Sequence, residues 1–227
     1  YCPDINMDVL ARGTTGFTGA DLENMVNQAA LRAAIDGLTS VTMQYLENSR
    51  DKVLMGPEKK SRIPDEEANR ITAFHEAGHA LVAHYTKDSH PLHKVTIIPR
   101  GPSLGHTAYM PEKEAYHVTK SQMQAMLDTL MGGRVAEELI FGYEKITTGA
   151  SDDLKKATKI ASSMVKDYGM SDKVGVRTFI DDHESLVVVN ELSNNTSEMI
   201  DMEIKRILQV SLRFDFFLFF HFSNCFS

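Results

Sequence analysis

Tryptophan is absent from this 227-residue chain, cysteine occurs only twice and proline seven times. Cys2 and Cys225 stand at opposite ends. That excludes a disulfide framework and a cysteine-clustered zinc site. Any metal has to be held by histidine and carboxylate. Basic charge is short as well, with 24 Lys and Arg against 31 Asp and Glu, a net −7. The basic face of a nucleic-acid-binding module is therefore not expected. No run of about 20 apolar residues occurs, so the sequence offers no membrane span. The phenylalanine-rich stretch from Phe214 to Phe220 is too short and is broken by Asp215. No secretory leader pattern opens the chain, which starts at Tyr1 without Met and reads as a piece of a longer protein. What is present, 42% hydrophobic and 24% charged residues, suits one core or a core with a small satellite domain.

The pattern along the chain is mostly helical. Thr18 with Asp21 forms a capping box ahead of Leu22, Met25, Val26, Ala29, Ala30 and Ala33 at helical spacing, and Gly37 stops that helix. A second helix is expected from about Ser40 to Met55, and the charged run Glu58 to Arg62 reads as a linker. Pro64 and the acids Asp65, Glu66 and Glu67 suit the first turn of a helix running through Tyr85. Lys94 to Ile98 is β-branched and short, a predicted strand, with Gly105 to Tyr109 as a second extended segment. Thr119 and Gln122 make another capping box, opening a long helix to Phe141-Gly142. Gly132 and Gly133 inside it predict close packing against a neighbour. Ser151 is expected to cap a helix from Asp152 to Tyr168. Leu186 to Val189 is a short apolar stretch, and a last helix is expected from Ser197 to about Leu208.

Chemistry concentrates in His75-Glu76-Ala77-Gly78-His79. On a helix, residues four apart share a face, so both imidazoles can reach one ion. Glu76 can hold a water bound to that ion. Zinc lowers the pKa of such a water to about 7, and Glu76 as general base completes proton removal for attack on a peptide carbonyl. The flanking Ile71, Phe74, Leu81 and Val82 supply an apolar stripe to seat the helix. The bland alternative is a helix with two incidental surface histidines. A tetrahedral site needs a third protein ligand, and the remaining histidines show no partner spacing. Two carboxylate pairs compete, Glu137-Glu138 and Asp152-Asp153. The helix dipole favours the aspartates, although such aspartates are often plain caps. Spacing alone leaves the choice open.

Several segments resemble the FtsH family of membrane proteases. These are the HEAGH motif, Gly132 to Glu138 (GGRVAEE), Thr147 to Leu154 (TTGASDDL) and Ile98 to Gly101 (IPRG). Thr15 to Leu22 (TGFTGADL) resembles the start of the helical lid of an AAA ATPase module. The resemblance covers about Asp8 to Gln209. LHKVTIIPRG and ITTGASDDLKKATKIA are most similar to the mitochondrial i-AAA branch.

The resemblance implies a helical zinc peptidase domain with a small sheet at 57–209, a partial AAA lid at 1–56, and an atypical Phe-rich tail at 210–227. It implies zinc held by His75, His79 and Asp153, with Glu76 as the base and Glu137 or Glu138 as a supporting carboxylate. It places Gly19 and Ala20 near the adenine end of a bound nucleotide. It further implies ATP use by the full-length protein, a homo-hexamer, and a mitochondrial inner-membrane location through an N-terminal anchor. Unfolded proteins or peptides would be the substrates, taken with little sequence preference because an extended chain can add to the edge of the Val95 to Ile98 strand. The P-loop, the magnesium-binding acid and the arginine finger are missing from these residues, so this stretch alone is not expected to hydrolyse ATP. After Gln209 the sequence departs from the family and reads like translated intron or frame-shifted sequence. Two further readings compete: a non-catalytic fragment that at most binds subunits, and a free-standing small zinc peptidase, which the lid remnant disfavours.

Overall fold

The computed structural model describes residues 4–59, 65–100, 104–110, 117–179 and 192–225, the last four by backbone alone. It is mostly helical with one two-stranded sheet, as the periodicity predicts. The chain divides into two compact units. One comprises Tyr1–Ala73 and Pro91–Glu114, the other Phe74–His90 and Ala115–Ser227.

The first unit begins with α1 (Met7–Gly13), a helix too short for its periodicity to be read. Asn6 caps it by accepting from the N–H groups of Asp8 and Val9. The capping box of Thr18 and Asp21 opens α2 (Gly19–Ile35). α3 (Met43–Met55) starts after Thr42, three residues later than the sequence suggests, and Gly56 ends it at φ 89°. Leu10, Met25, Ala29 and Leu46 form the small core of these three helices.

The sheet of this unit is an antiparallel pair, β1 (Leu92–Thr96) and β2 (His106–Tyr109). β1 starts and ends two residues earlier than predicted. Ile97 and Ile98 fall outside it and are exposed, so their β-branched side chains record propensity without sheet pairing. Glu58, read as linker, makes an isolated bridge to Arg100, and Lys59 N–H donates to the Pro99 carbonyl.

A buried group of charges ties α3 to β1. Arg50 and Asp51 are only 2% and 3% exposed. Arg50 donates to Asp51 at 2.9 Å, Lys94 donates to the other Asp51 oxygen at 2.6 Å, and Arg50 meets His93 Nε2 at 3.3 Å. Burial raises the Asp51 pKa, but Lys94 and Arg50 outweigh it and hold the carboxyl below its usual range. Burial and the Arg50 charge hold His93 below its usual value.

α4 (Glu66–Tyr85) carries the HEAGH motif; the boundary between the units falls within it, and the motif belongs to the second. There α5 (Lys120–Phe141) opens on the Thr119–Gln122 capping box and closes at Gly142, φ 90°. α4 and α5 touch through glycine: a Cβ on Gly78 would fall on the Gly132 carbonyl, and one on Gly132 on the Gly78 carbonyl. Only glycine permits this approach. Phe74 packs edge-on against Phe141 at 5.7 Å between ring centres.

α6 (Ser151–Lys166) begins one residue early. A 3-10 turn at Thr148–Ala150 winds directly into it, so Ser151 is already helical. It ends two residues before Tyr168. α7 (Asn194–Cys225) is far longer than expected. The Phe-rich tail simply continues the last helix, with Phe217 and Phe220 exposed. Leu127, Met131, Ala157, Met164, Ile200 and Ile207 join α5, α6 and α7 in the main core. A side chain such as Leu127, fully buried, contributes about 1.5–3 kcal/mol. The predicted apolar stretch Leu186 to Val189 lies outside the described residues.

Candidate metal centre

His75 and His79 lie one turn apart on α4, and both are buried. The Nδ1 of each is already committed. His75 Nδ1–H donates to Glu137 Oε1 at 2.7 Å, and His79 Nδ1–H donates to the Thr129 carbonyl at 2.7 Å. Both partners come from α5, held close by the Gly78–Gly132 contact. These bonds set the tautomers and turn both Nε2 lone pairs inward, where the two nitrogens meet at 3.1 Å. Asp153, in the first turn of α6, brings Oδ2 to 3.4 Å from His75 Nε2 and 3.2 Å from His79 Nε2.

Three acceptors converging in a buried space repel one another unless a positive charge lies between them. A tetrahedral ion with zinc-like bonds of about 2.0–2.1 Å would separate its ligand atoms by about 3.3 Å. The observed spacings match that, so the residues present fit the ion. Among the described residues, these three are the cluster of His and acidic groups close enough to share one metal.

The titration behaviour expresses the same frustration. Burial lowers the His75 pKa, but hydrogen bonds with Asp153 and Glu137 outweigh it and push it up to about 9. Burial raises Asp153, yet His75 and His79 hold it well below the carboxylate range. Glu137, 1% exposed, is likewise lowered against its burial, by His75 and by the Thr147 N–H, which donates to Oε2 at 2.8 Å.

Gly133 has a role the sequence did not disclose. A Cβ there would sit 2.6 Å from His75 Cε1 and 2.6 Å from His79 Nε2. The glycine leaves the space in which the imidazoles turn. Thr129 was also missed, because a backbone carbonyl carries no residue signature. Glu76 is buried on α4 beside His75. Asp152 points elsewhere, with an exposed side chain paired to Lys155 at 2.9 Å. Glu138 pairs with Arg134 at 2.6 Å. Gly19 and Ala20 are exposed at the start of α2 in the other unit. An open cavity of about 870 Å³ runs along α6 past Ser151 and Leu154, which bracket the aspartate pair.

A histidine pair one turn apart on one helix with Glu76 beside them, closed by an aspartate from another helix, is a metallopeptidase type of site. The profile of peptidase family M41 matches residues 62–214, and that of the AAA+ lid domain matches residues 4–48. The chain belongs to peptidase family M41. It is 70% identical over 208 residues to the ATP-dependent zinc metalloprotease YME1L of Drosophila melanogaster, covering 92% of this chain and 28% of that protein. It is 52% identical over 207 residues to YME1L1 of Homo sapiens, covering 91% and 26%. To the ATP-dependent zinc metalloprotease FtsH of Endomicrobium trichonymphae it is 46% identical over 214 residues, covering 92% and 34%. The chain therefore spans about a third or less of these relatives, and the part it spans is their peptidase portion with the lid. Among the described residues no helix is long and apolar enough to cross a membrane.

Proposed function

We propose that this chain is the peptidase part of an ATP-dependent zinc metalloendopeptidase, with zinc held by His75, His79 and Asp153 and Glu76 as general base. The observation that carries the reading is the convergence of two inward Nε2 atoms and one carboxylate oxygen within 3.1–3.4 Å. Zinc bound there supplies a Lewis acid that acidifies water and polarises a peptide carbonyl. Glu76 takes the proton of the attacking water and returns it to the departing amine nitrogen. Glu137 and Thr129 hold the imidazole tautomers, and Asp153 keeps its charge for the ion. The cavity along α6 gives a peptide room beside the aspartate turn.

For the whole protein, the names of the relatives support ATP-dependent proteolysis, and unfolding of the substrate by ATP use belongs to this proposal. We place nucleotide contact at Gly19 and Ala20, assembly as a homo-hexamer, and anchorage in the mitochondrial inner membrane. The partition into lid (1–56), peptidase (57–209) and tail (210–227) belongs to the same reading, as does addition of an extended peptide to β1. The deciding experiment measures zinc per chain and hydrolysis of an unfolded protein such as casein. Stoichiometric zinc with hydrolysis abolished by Glu76→Gln is expected; a chain that binds no zinc overturns the reading. Exposed Phe217 and Phe220 on α7, at 72% and 68%, favour the second reading, a non-catalytic fragment that binds subunits. Zinc-free chains that nevertheless associate would select it.

A further inference from the structure

Among the described residues, Asp215 is a buried carboxylate, 0% exposed, with both oxygens unpartnered. It lies on α7 one turn beyond Ser211, itself 0% exposed, whose Oγ accepts from Gln124 Nε2 at 2.7 Å. Gln124 also donates to Asp128 Oδ1 at 3.0 Å. Asp128, 5% exposed on α5, is the charged group that faces Asp215. No cation from α5, α6 or α7 pairs with it among the described residues. Asp215 is thus buried where α7 packs on α5, with no donor on either oxygen and a second carboxylate, Asp128, near enough to act on it.

An ionised, unpartnered carboxylate in such a place is too costly to persist. Something positive has to compensate, either a metal ion or a proton. Calcium takes six to eight oxygen ligands and magnesium keeps several waters. The described side chains here, two carboxylates, one hydroxyl and one amide, supply fewer ligand oxygens than either ion takes. A proton needs only one.

We propose that α7 docks on α5 by taking up a proton on Asp215, so that the C-terminal half of α7 is a strap fastened in acid and released in alkali. Burial, then the Asp128 charge, push the Asp215 pKa up to about 9, and burial also raises Asp128 against its bonds to Ser211 and Gln124. The sign follows. The folded pKa lies above the unfolded value of about 3.9, so docking is fully favoured below about 4 and weakens as pH rises toward about 9. One linked proton weakens it about tenfold per pH unit. Release would uncover the N-terminal half of α5, where Met123 and Leu127 are buried.

The test is amide hydrogen exchange of the full chain at pH 5.5 and pH 8.5, corrected for intrinsic exchange. Protection over residues 211–221 should fall by about 100-fold or more between the two, while α6 keeps its protection. Asp215→Asn, which keeps the shape and cannot ionise, should make the profile flat. If that variant does not fold, Asp215→Leu should give the same flat profile with higher protection. A flat wild-type profile, or a slope retained in the folded variants, overturns the proposal. So does a recovery of protection at pH 8.5 on adding calcium or magnesium, which would assign the site to a metal.

Discussion

Each compact unit buries a cluster of ionisable groups, and the two clusters differ in whether the atoms that face one another are donor and acceptor or acceptors alone. In the first unit Asp51 sits between Arg50 and Lys94, with each carboxylate oxygen bonded to one of them. The Asp51 carboxylate is complete, each of its oxygens facing a donor. In the second, His75, His79 and Asp153 present three acceptor atoms to one another at 3.1–3.4 Å. That cluster is complete only with a cation. The comparison teaches that burial of ionisable groups does not by itself mark a functional site. The unsatisfied direction of the lone pairs does.

The largest effects are expected at the cluster of three facing acceptors. His79→Ala should abolish zinc binding by metal analysis after dialysis, and Gly133→Ala should do nearly as much, because its methyl would occupy the space of both imidazoles. Full zinc occupancy in either variant would sink the assignment. Glu76→Gln separates chemistry from binding: zinc stays, while hydrolysis of an unfolded substrate falls by about two to four orders of magnitude. Activity near the wild-type rate would put the base elsewhere.

The donor-matched cluster around Asp51 should respond in stability and not in metal content. Asp51→Asn leaves Arg50 and Lys94 uncompensated and should cost about 3 kcal/mol or more in denaturant unfolding, with zinc unchanged. Its pH signature is also defined. The folded Asp51 pKa is depressed, so its contribution is present above the ordinary carboxylate range and is lost as pH falls through the folded value. The variant should lack that acid-side loss; an unaltered acid limb would show that Asp51 is not charged in the folded protein.

Smaller changes sharpen the boundary of the metal cluster. Glu137→Gln keeps a hydrogen-bond acceptor for His75 but removes charge, and should weaken zinc affinity by about 10–100-fold, measured by competition with a chelator. Asp152→Asn should leave zinc content and stability within experimental error, since its side chain is exposed and paired only with Lys155. An effect on zinc larger than that of Asp153→Asn would show that the wrong neighbour had been chosen.

Much of this was readable from local chemistry. Capping boxes at Thr18–Asp21 and Thr119–Gln122 announced two helix starts, because the bonds that satisfy a first turn lie within four residues of sequence. HEAGH announced the paired imidazoles, because helical spacing alone brings positions four apart to one face. The strand and the last helix were placed less well. β1 runs two residues earlier than its β-branched content suggests, since pairing with β2 sets its limits. α7 extends to Cys225, since packing against α5 and α6 continues a helix that composition alone would end.

By itself, then, the sequence determined the elements, the histidine face and the pair of candidate carboxylate clusters. Spacing left Asp152 and Asp153 open and the family resemblance implied Asp153; the tertiary structure turns Asp153 to the histidines and Asp152 to solvent, and it alone showed that Glu137 and the Thr129 carbonyl fix the tautomers and that Gly133 leaves room for the rings. The reason is physical. Helix formation depends on residues within one turn. A metal cluster depends on atoms 50 to 78 positions apart along the chain, brought together by a glycine-to-glycine contact between α4 and α5 that no single segment encodes.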